Sequence, residues 1–414
     1  MITSKVKSCI NWENLITLFA ITIPLGRGLF NSAFILLIGY WIYRVYKGGI
    51  VFGKSEIIFL IIVSSYYLYS IVSLLYTDNI EYGLDKIYSQ SYILLFPLFF
   101  LSFKKEMGEK TYLKAFKGFL LSLTLVSVLS IGKQLYGVLL GKYGLEALTQ
   151  NNISTSVVDN YFLGLSLLIS FCVITYTYIK LFKPHIKLFG LNALETIVIS
   201  ILTITLVLLN SRNLIFLSAF SICVLFFAKS VLIKRPFFFI KIFFAMTAAI
   251  CINYWANPYF GGKMKEVVNY SQENSKDKYW GGMRQSIWDC TVKVIKTDPV
   301  IGVGVGDQKD QLELCYKVYM HNRLLVTDNN FNAHNIFLQV FLEIGILGVM
   351  MFLLSFAYMI RAAILSNNMY YVIFVGVFIL AGLTESYFER NLTMVFFSFY
   401  GCLSFFSKSN LGRP

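Results

Sequence analysis

Residues 336–360 read IFLQVFLEIGILGVMMFLLSFAYMI, and the run closes on Arg361. Across this stretch the only charged side chain is Glu343. A helix rises about 1.5 Å per residue, so about 20 apolar residues cross the hydrocarbon core of a bilayer. The run is long enough and apolar enough to predict a membrane span. The same pattern recurs on either side of it. Apolar runs at 13–26, 29–46, 55–76, 89–103, 115–138, 157–179, 193–210, 213–232 and 236–255 precede it, and runs at 369–386 and 391–407 follow. The chain is therefore expected to be an all-α integral membrane protein with about twelve transmembrane helices. Composition agrees: 57% of the residues are apolar and 14% charged, against roughly 25% charged in soluble domains.

This reading divides the chain into three regions. Residues 1–255 carry spans one to nine, 256–335 form a polar cap loop with short helices, and 336–414 carry spans ten to twelve and a tail. With the N-terminus placed in the cytoplasm, twenty Lys and Arg fall in inner segments and six in short outer ones. That asymmetry is the positive-inside pattern. It puts both termini in the cytoplasm and the cap outside. It also accounts for most of the net charge of +14, which excludes a nucleic-acid partner. Two apolar runs follow one another at the N-terminus with no small-residue cleavage pattern between them, so no cleavable signal peptide is expected. No CxxC pair, DxD motif or metal-ligand spacing is present, so neither a metal nor another cofactor is expected. Nor do the two halves repeat one another, as those of many carriers do. A transporter of lipid-linked sugars is a minor alternative on that ground.

Within the cap, a helix is expected over Met283–Lys296, stopped by Thr297-Asp298-Pro299. The string Pro299-Val300-Ile301-Gly302-Val303-Gly304-Val305-Gly306 then allows either close backbone packing or N–H groups turned toward an anion. As a nucleotide motif it lacks the Lys-Ser/Thr pair. A second helix fits Gln308–Tyr319, and Asn332-Ala333-His334-Asn335 leads into span ten. Cys290 and Cys315 are the only cysteines of the cap, and in an oxidising compartment they are able to bridge its two helices.

Arg284 and Trp288 in a helix, then Pro299, Gly302, Gly304 and Gly306, then His334-Asn335-x-Phe337-Leu338 and Glu343-x-Gly345-x-x-Gly348 form an ordered set. Upstream, Asn210-Ser211-Arg212 stands just before a helix. Together these resemble the O-antigen ligase and polymerase superfamily of bacterial envelopes. The resemblance spans Asn210 to Arg361; over the N-terminal half it rests on helix count and layout. It implies a glycosyltransferase with a GT-C-like bundle in the bacterial inner (cytoplasmic) membrane, its active site facing the periplasm. The implied donor is a glycan on undecaprenyl pyrophosphate, and the transfer is metal-independent. The acceptor is the lipid A-core of lipopolysaccharide in a ligase, the reading preferred here, and a second lipid-linked glycan in a polymerase. Membrane lipids are the remaining partners.

The resemblance also directs attention to particular side chains. Arg212 is either a snorkelling arginine at a helix end or, by its planar fork, a clamp on the donor pyrophosphate. Arg284 is either a solvated surface residue or a second clamp. His334 either caps span ten or takes the proton from an acceptor hydroxyl. Asn335 orients a ligand or caps the same helix, and Glu343 is a structural carboxylate or faces substrate. Arg27, Tyr161, Glu385, Glu389 and Arg390 all map near the outer face as supporting or acceptor-side groups. Glu385 and Glu389, one turn apart if helical, are placed to share an arginine.

Overall fold

The computed structural model describes residues 11–47, 52–142, 144, 148, 162–256, 281–319 and 331–407. Regular structure among them is helical. The N-terminal portion runs α1 (Trp12–Thr22, continued by a 3-10 turn Ile23–Leu25), α2 (Arg27–Tyr46), α3 (Lys54–Ser73), α4 (Ile80–Gln90), α5 (Tyr92–Ser102) and α6 (Glu109–Leu139). It continues with α7 (Phe162–Phe182), α8 (Asn192–Leu208), α9 (Arg212–Leu232) and α10 (Pro236–Ala256). The cap supplies α11 (Gly281–Ile295) and α12 (Gln308–Tyr319), and the chain ends with α13 (Ile336–Leu365), α14 (Met369–Gly382) and α15 (Asn391–Phe406). Among the described residues, six helices are long and apolar enough to cross a membrane: α2, α3 with its 3-10 extension, α6, α7, α9 and α13. α1, α8, α10, α14 and α15 are shorter apolar helices. With α5 they match the twelve apolar runs of the sequence, and the chain is a multi-pass helical membrane protein.

Asparagine starts several of these helices. Asn11, Asn79, Asn335 and Asn368 each accept a hydrogen bond from an N–H of the first turn, which satisfies a donor the helix itself cannot. Aromatic packing fills the interior. Phe19 of α1 lies 5.2 Å from Phe96 of α5 and 4.9 Å from Phe399 of α15, and Phe171 of α7 lies 4.9 Å from Phe396, centroid to centroid. The α15 face is buried almost throughout from Thr393 to Ser404.

Three features differ from the sequence reading. The stretch before span four is a helix of its own, α4, and not a loop. Span eleven stops at Gly382, and residues 383–390 form a short connection containing a 3-10 turn, Tyr387–Glu389. Span ten is broken, because Ile344 (φ −133°, ψ 20°) and Gly345 (φ 65°, ψ −167°) leave helical geometry. A break of this kind frees backbone groups that lipid cannot satisfy. The glycine string supplies the partners. The N–H groups of Val303 and Gly304 donate to the carbonyls of Leu342 (3.0 Å) and Glu343 (2.9 Å), and Ile346 N–H donates to Pro299 O (3.0 Å). Contact this close leaves no room for side chains. A Cβ on Gly302, itself at φ +76°, would lie 2.5 Å from the backbone nitrogens of Ile344 and Gly345. The alternating glycines thus serve close packing.

The cap is also tied to α4. The Asp307 carboxylate accepts the N–H groups of Asp78 (2.8 Å) and Asn79 (2.7 Å), and the Tyr76 hydroxyl donates to Ile301 O (2.7 Å). A disulfide joins Cys290 of α11 to Cys315 of α12, with Cα atoms 5.8 Å apart. Around it Ile287, Val294, Leu312 and Tyr316 make a small core seated on Leu342 of α13.

Candidate active site at the cap end of the bundle

The segment before α13 is held at nearly every polar atom. Ala333 N–H donates to Gln339 Oε1 (2.9 Å), and Ala333 O accepts from Trp288 Nε1 (2.9 Å). His334 N–H donates to Asn332 Oδ1 (3.0 Å). Asn335 accepts the N–H groups of Phe337 and Leu338, gives its own N–H to Ser386 Oγ (3.1 Å) and donates from Nδ2 to Leu383 O (3.0 Å). Asn335 is therefore a helix cap that also fastens α13 to the 383–390 connection. Between these anchors His334 adopts φ +45°, a conformation rare for a residue with a Cβ and sustained only by its surroundings.

That backbone carries the imidazole to Glu385. Nδ1 lies 3.0 Å from Oε2 and 3.2 Å from Oε1, and the Glu385 side chain is 2% exposed. The Arg284 guanidinium of α11 lies 3.9 Å from the same Oε2. Burial pushes the Glu385 carboxyl up, but the hydrogen bond and charge of His334, and the charges of Arg390 and Arg284, outweigh it and hold it below its ordinary range. An ionised carboxylate only accepts, so Nδ1 carries the hydrogen, and in the neutral ring Nε2 is the basic atom.

Arg212 opens α9 directly after the turn at Asn210 (φ +54°). Its neighbour Asn213 donates to the hydroxyl of Thr384, the residue before Glu385. The N-terminus of α9 is thereby fixed beside the Glu385 connection, with Arg212 half-buried at its start.

Other residues singled out from the sequence lie elsewhere. Arg27 is exposed at the N-terminus of α2, where its charge falls on Tyr92. Tyr161 lies outside the described residues. Glu385 and Glu389 take different partners. The chain between them is not α-helical, so Glu389 turns to Lys86 (2.8 Å) while Glu385 turns to His334. Glu343 is fully buried against Lys86 and the Gln339 amide, on the same N-terminal side of the α13 break as His334. Arg390 caps α15 through its backbone and adds positive potential at Glu385.

The sequence reading missed Lys86, Gln308 and Gln339. Gln339 stands four residues before Glu343, on one face of α13, and that spacing was the available signal. Lys86 gives none, because its partners lie far along the chain.

No curated protein matches the chain. Residues 197–353, from within α8 to the middle of α13, match the family model described as O-antigen ligase. The match takes in Arg212, Arg284, His334 and Glu343 and ends before Glu385; over those residues the chain is similar to the O-antigen ligase family.

Proposed function

We propose that the chain is a glycosyltransferase of the inner membrane that moves a glycan from undecaprenyl pyrophosphate to a lipid A-core acceptor at the periplasmic face, with both termini in the cytoplasm. The reading rests on one arrangement, the His334 imidazole held through Nδ1 by Glu385 with Arg284 on the same carboxylate. The Arg212 turn is fixed next to it through Asn213 and Thr384.

In this reading Arg212 and Arg284 bind the pyrophosphate. A guanidinium already in place stabilises the charge that grows on the leaving group without reorganising. Nε2 of His334 takes the proton as the acceptor hydroxyl oxygen bonds to the anomeric carbon. The bond from that carbon to the pyrophosphate oxygen breaks, and its electron pair leaves with undecaprenyl pyrophosphate. Glu385 stabilises the imidazolium so formed. A single displacement inverts the anomeric configuration. Every step uses side chains alone.

Arg212→Ala and His334→Ala should each abolish transfer while the protein still reaches the membrane. Near-normal transfer by both would remove them from the mechanism. Lipopolysaccharide from a deletion strain identifies the acceptor on a gel. Bare core marks a ligase, core with one repeat marks a polymerase, and an unchanged ladder overturns both. Transfer by purified protein without an ion gradient separates the enzyme from a carrier.

A further inference from the structure

Lys86, Glu343 and Gln339 are buried beside the candidate site and take no part in the transfer just described. The Gln339 amide is engaged on both sides. Nε2 donates to Glu343 Oε1 and to Gln308 Oε1 (2.7 Å), while Oε1 accepts from Ala333 N–H (2.9 Å). An amide group has nearly the same shape either way round, so its neighbours decide which end is which. Two neighbours decide here: the Ala333 N–H can only donate and takes Oε1, and Glu343 takes Nε2. Paired with Lys86, it is a carboxylate that can only accept, so it draws Nε2 toward itself and turns Oε1 to Ala333. Trp288 holds the other side of Ala333. The next residue is His334, whose left-handed backbone depends on that bracket.

We infer that Gln339, set in orientation by the Lys86–Glu343 pair, is a positioning residue for His334. It fixes the Ala333 peptide so that the imidazole meets Glu385 and presents Nε2 to the acceptor. The ion pair within the helical bundle thereby reaches the proposed base through one amide and one peptide group. This rests on His334 being the base.

The test uses purified full-length protein in liposomes. An undecaprenyl-pyrophosphate-linked repeat unit is the donor, and both lipid A-core and a second lipid-linked unit are offered as acceptors. Gln339→Leu removes every bond of the amide. Glu343→Gln keeps the shape but removes the charge that holds Gln339 Nε2, which loosens the amide. Both should lower kcat about 10–100-fold, as loss of an orienting partner does elsewhere, with donor KM within about twofold of the wild type. Wild-type kcat in Gln339→Leu, or a loss confined to donor KM, overturns the inference. Should Gln339→Leu fail to fold, Glu343→Gln alone decides by the same split. Full transfer by His334→Ala instead brings down the reading of the base, an outcome distinct from a silent Gln339→Leu beside an inactive His334→Ala.

Discussion

Nδ1 of His334 lies 3.0 Å from Oε2 of Glu385, a carboxylate 51 residues further along the chain and 2% exposed. The pair fixes which ring nitrogen is free. Glu385→Gln keeps an acceptor for Nδ1–H but also offers an NH2 group that can bind the other tautomer. Transfer should fall about 10²–10⁴-fold, by analogy with the amide substitution of an orienting carboxylate in a hydrolase triad. Initial rates in the reconstituted assay check this, and a rate within a few-fold of wild type would show that the tautomer is not set by Glu385.

The same carboxylate makes stability depend on pH. Its folded-state pKa is below the ordinary 4.5 because the favourable charges outweigh burial. A depressed carboxylate contributes stability that is full above the unfolded value and disappears as pH falls through the folded one. The melting temperature of wild type should therefore exceed that of Glu385→Gln at neutral pH, and the gap should close as pH drops below 4.5. A gap constant from pH 7 to pH 3 contradicts the assignment.

The Cys290–Cys315 bridge closes a loop with a sequence separation of 25 across the two cap helices. Closing a loop of that length stabilises by about 3 kcal/mol in the chain-entropy view. Mass spectrometry of protein alkylated without reductant should find neither cysteine modified. Cys290→Ser should lower the unfolding temperature, and reductant should then have no further effect on that variant.

At Gly302 the cost of a substitution is steric. Its φ of +76° disfavours any Cβ, and the added atom would meet the Ile344 and Gly345 nitrogens at 2.5 Å. Gly302→Ala should destabilise by about 3 kcal/mol or more, combining left-handed strain with displacement of a buried ladder. Gly108→Ala meets nothing within 4 Å and should be tolerated. Thermal unfolding in detergent compares the two.

Apolar runs located the spans because lipid imposes length and composition on each helix separately, and 236–255 and 391–407 return nearly unaltered as α10 and α15. What escaped depends on partners distant in sequence. The α13 break falls on Gly345 and is satisfied by residues 299–306 that cross it, partners that the run 336–360 does not itself reveal. Likewise Arg284, His334 and Glu385 come from a cap helix, a helix start and an interhelical connection. Each residue was recognisable by type, but the pairing of Glu385 with His334 required the stop at Gly382, which a continuous hydrophobic pattern hides. Glu389 shows the same effect, since the turn that parts it from Glu385 delivers it to Lys86.

Lys86 faces both Glu343 and Glu389, and its side chain is 6% exposed while that of Glu343 is 0%. Two carboxylates without their cation repel one another in a site that water barely reaches. Removing one member of a buried pair costs about 3–5 kcal/mol, because the survivor keeps its desolvation penalty and loses its compensation. Lys86→Met should therefore lower the unfolding temperature more than Glu343→Gln, which leaves Lys86 paired with Glu389. The double variant Lys86→Met/Glu343→Gln should regain part of the loss, since one uncompensated charge leaves with its partner. Thermal unfolding of the three variants gives the comparison. If the double variant is as unstable as the two single losses added together, the carboxylates act independently and the triad is not a coupled unit.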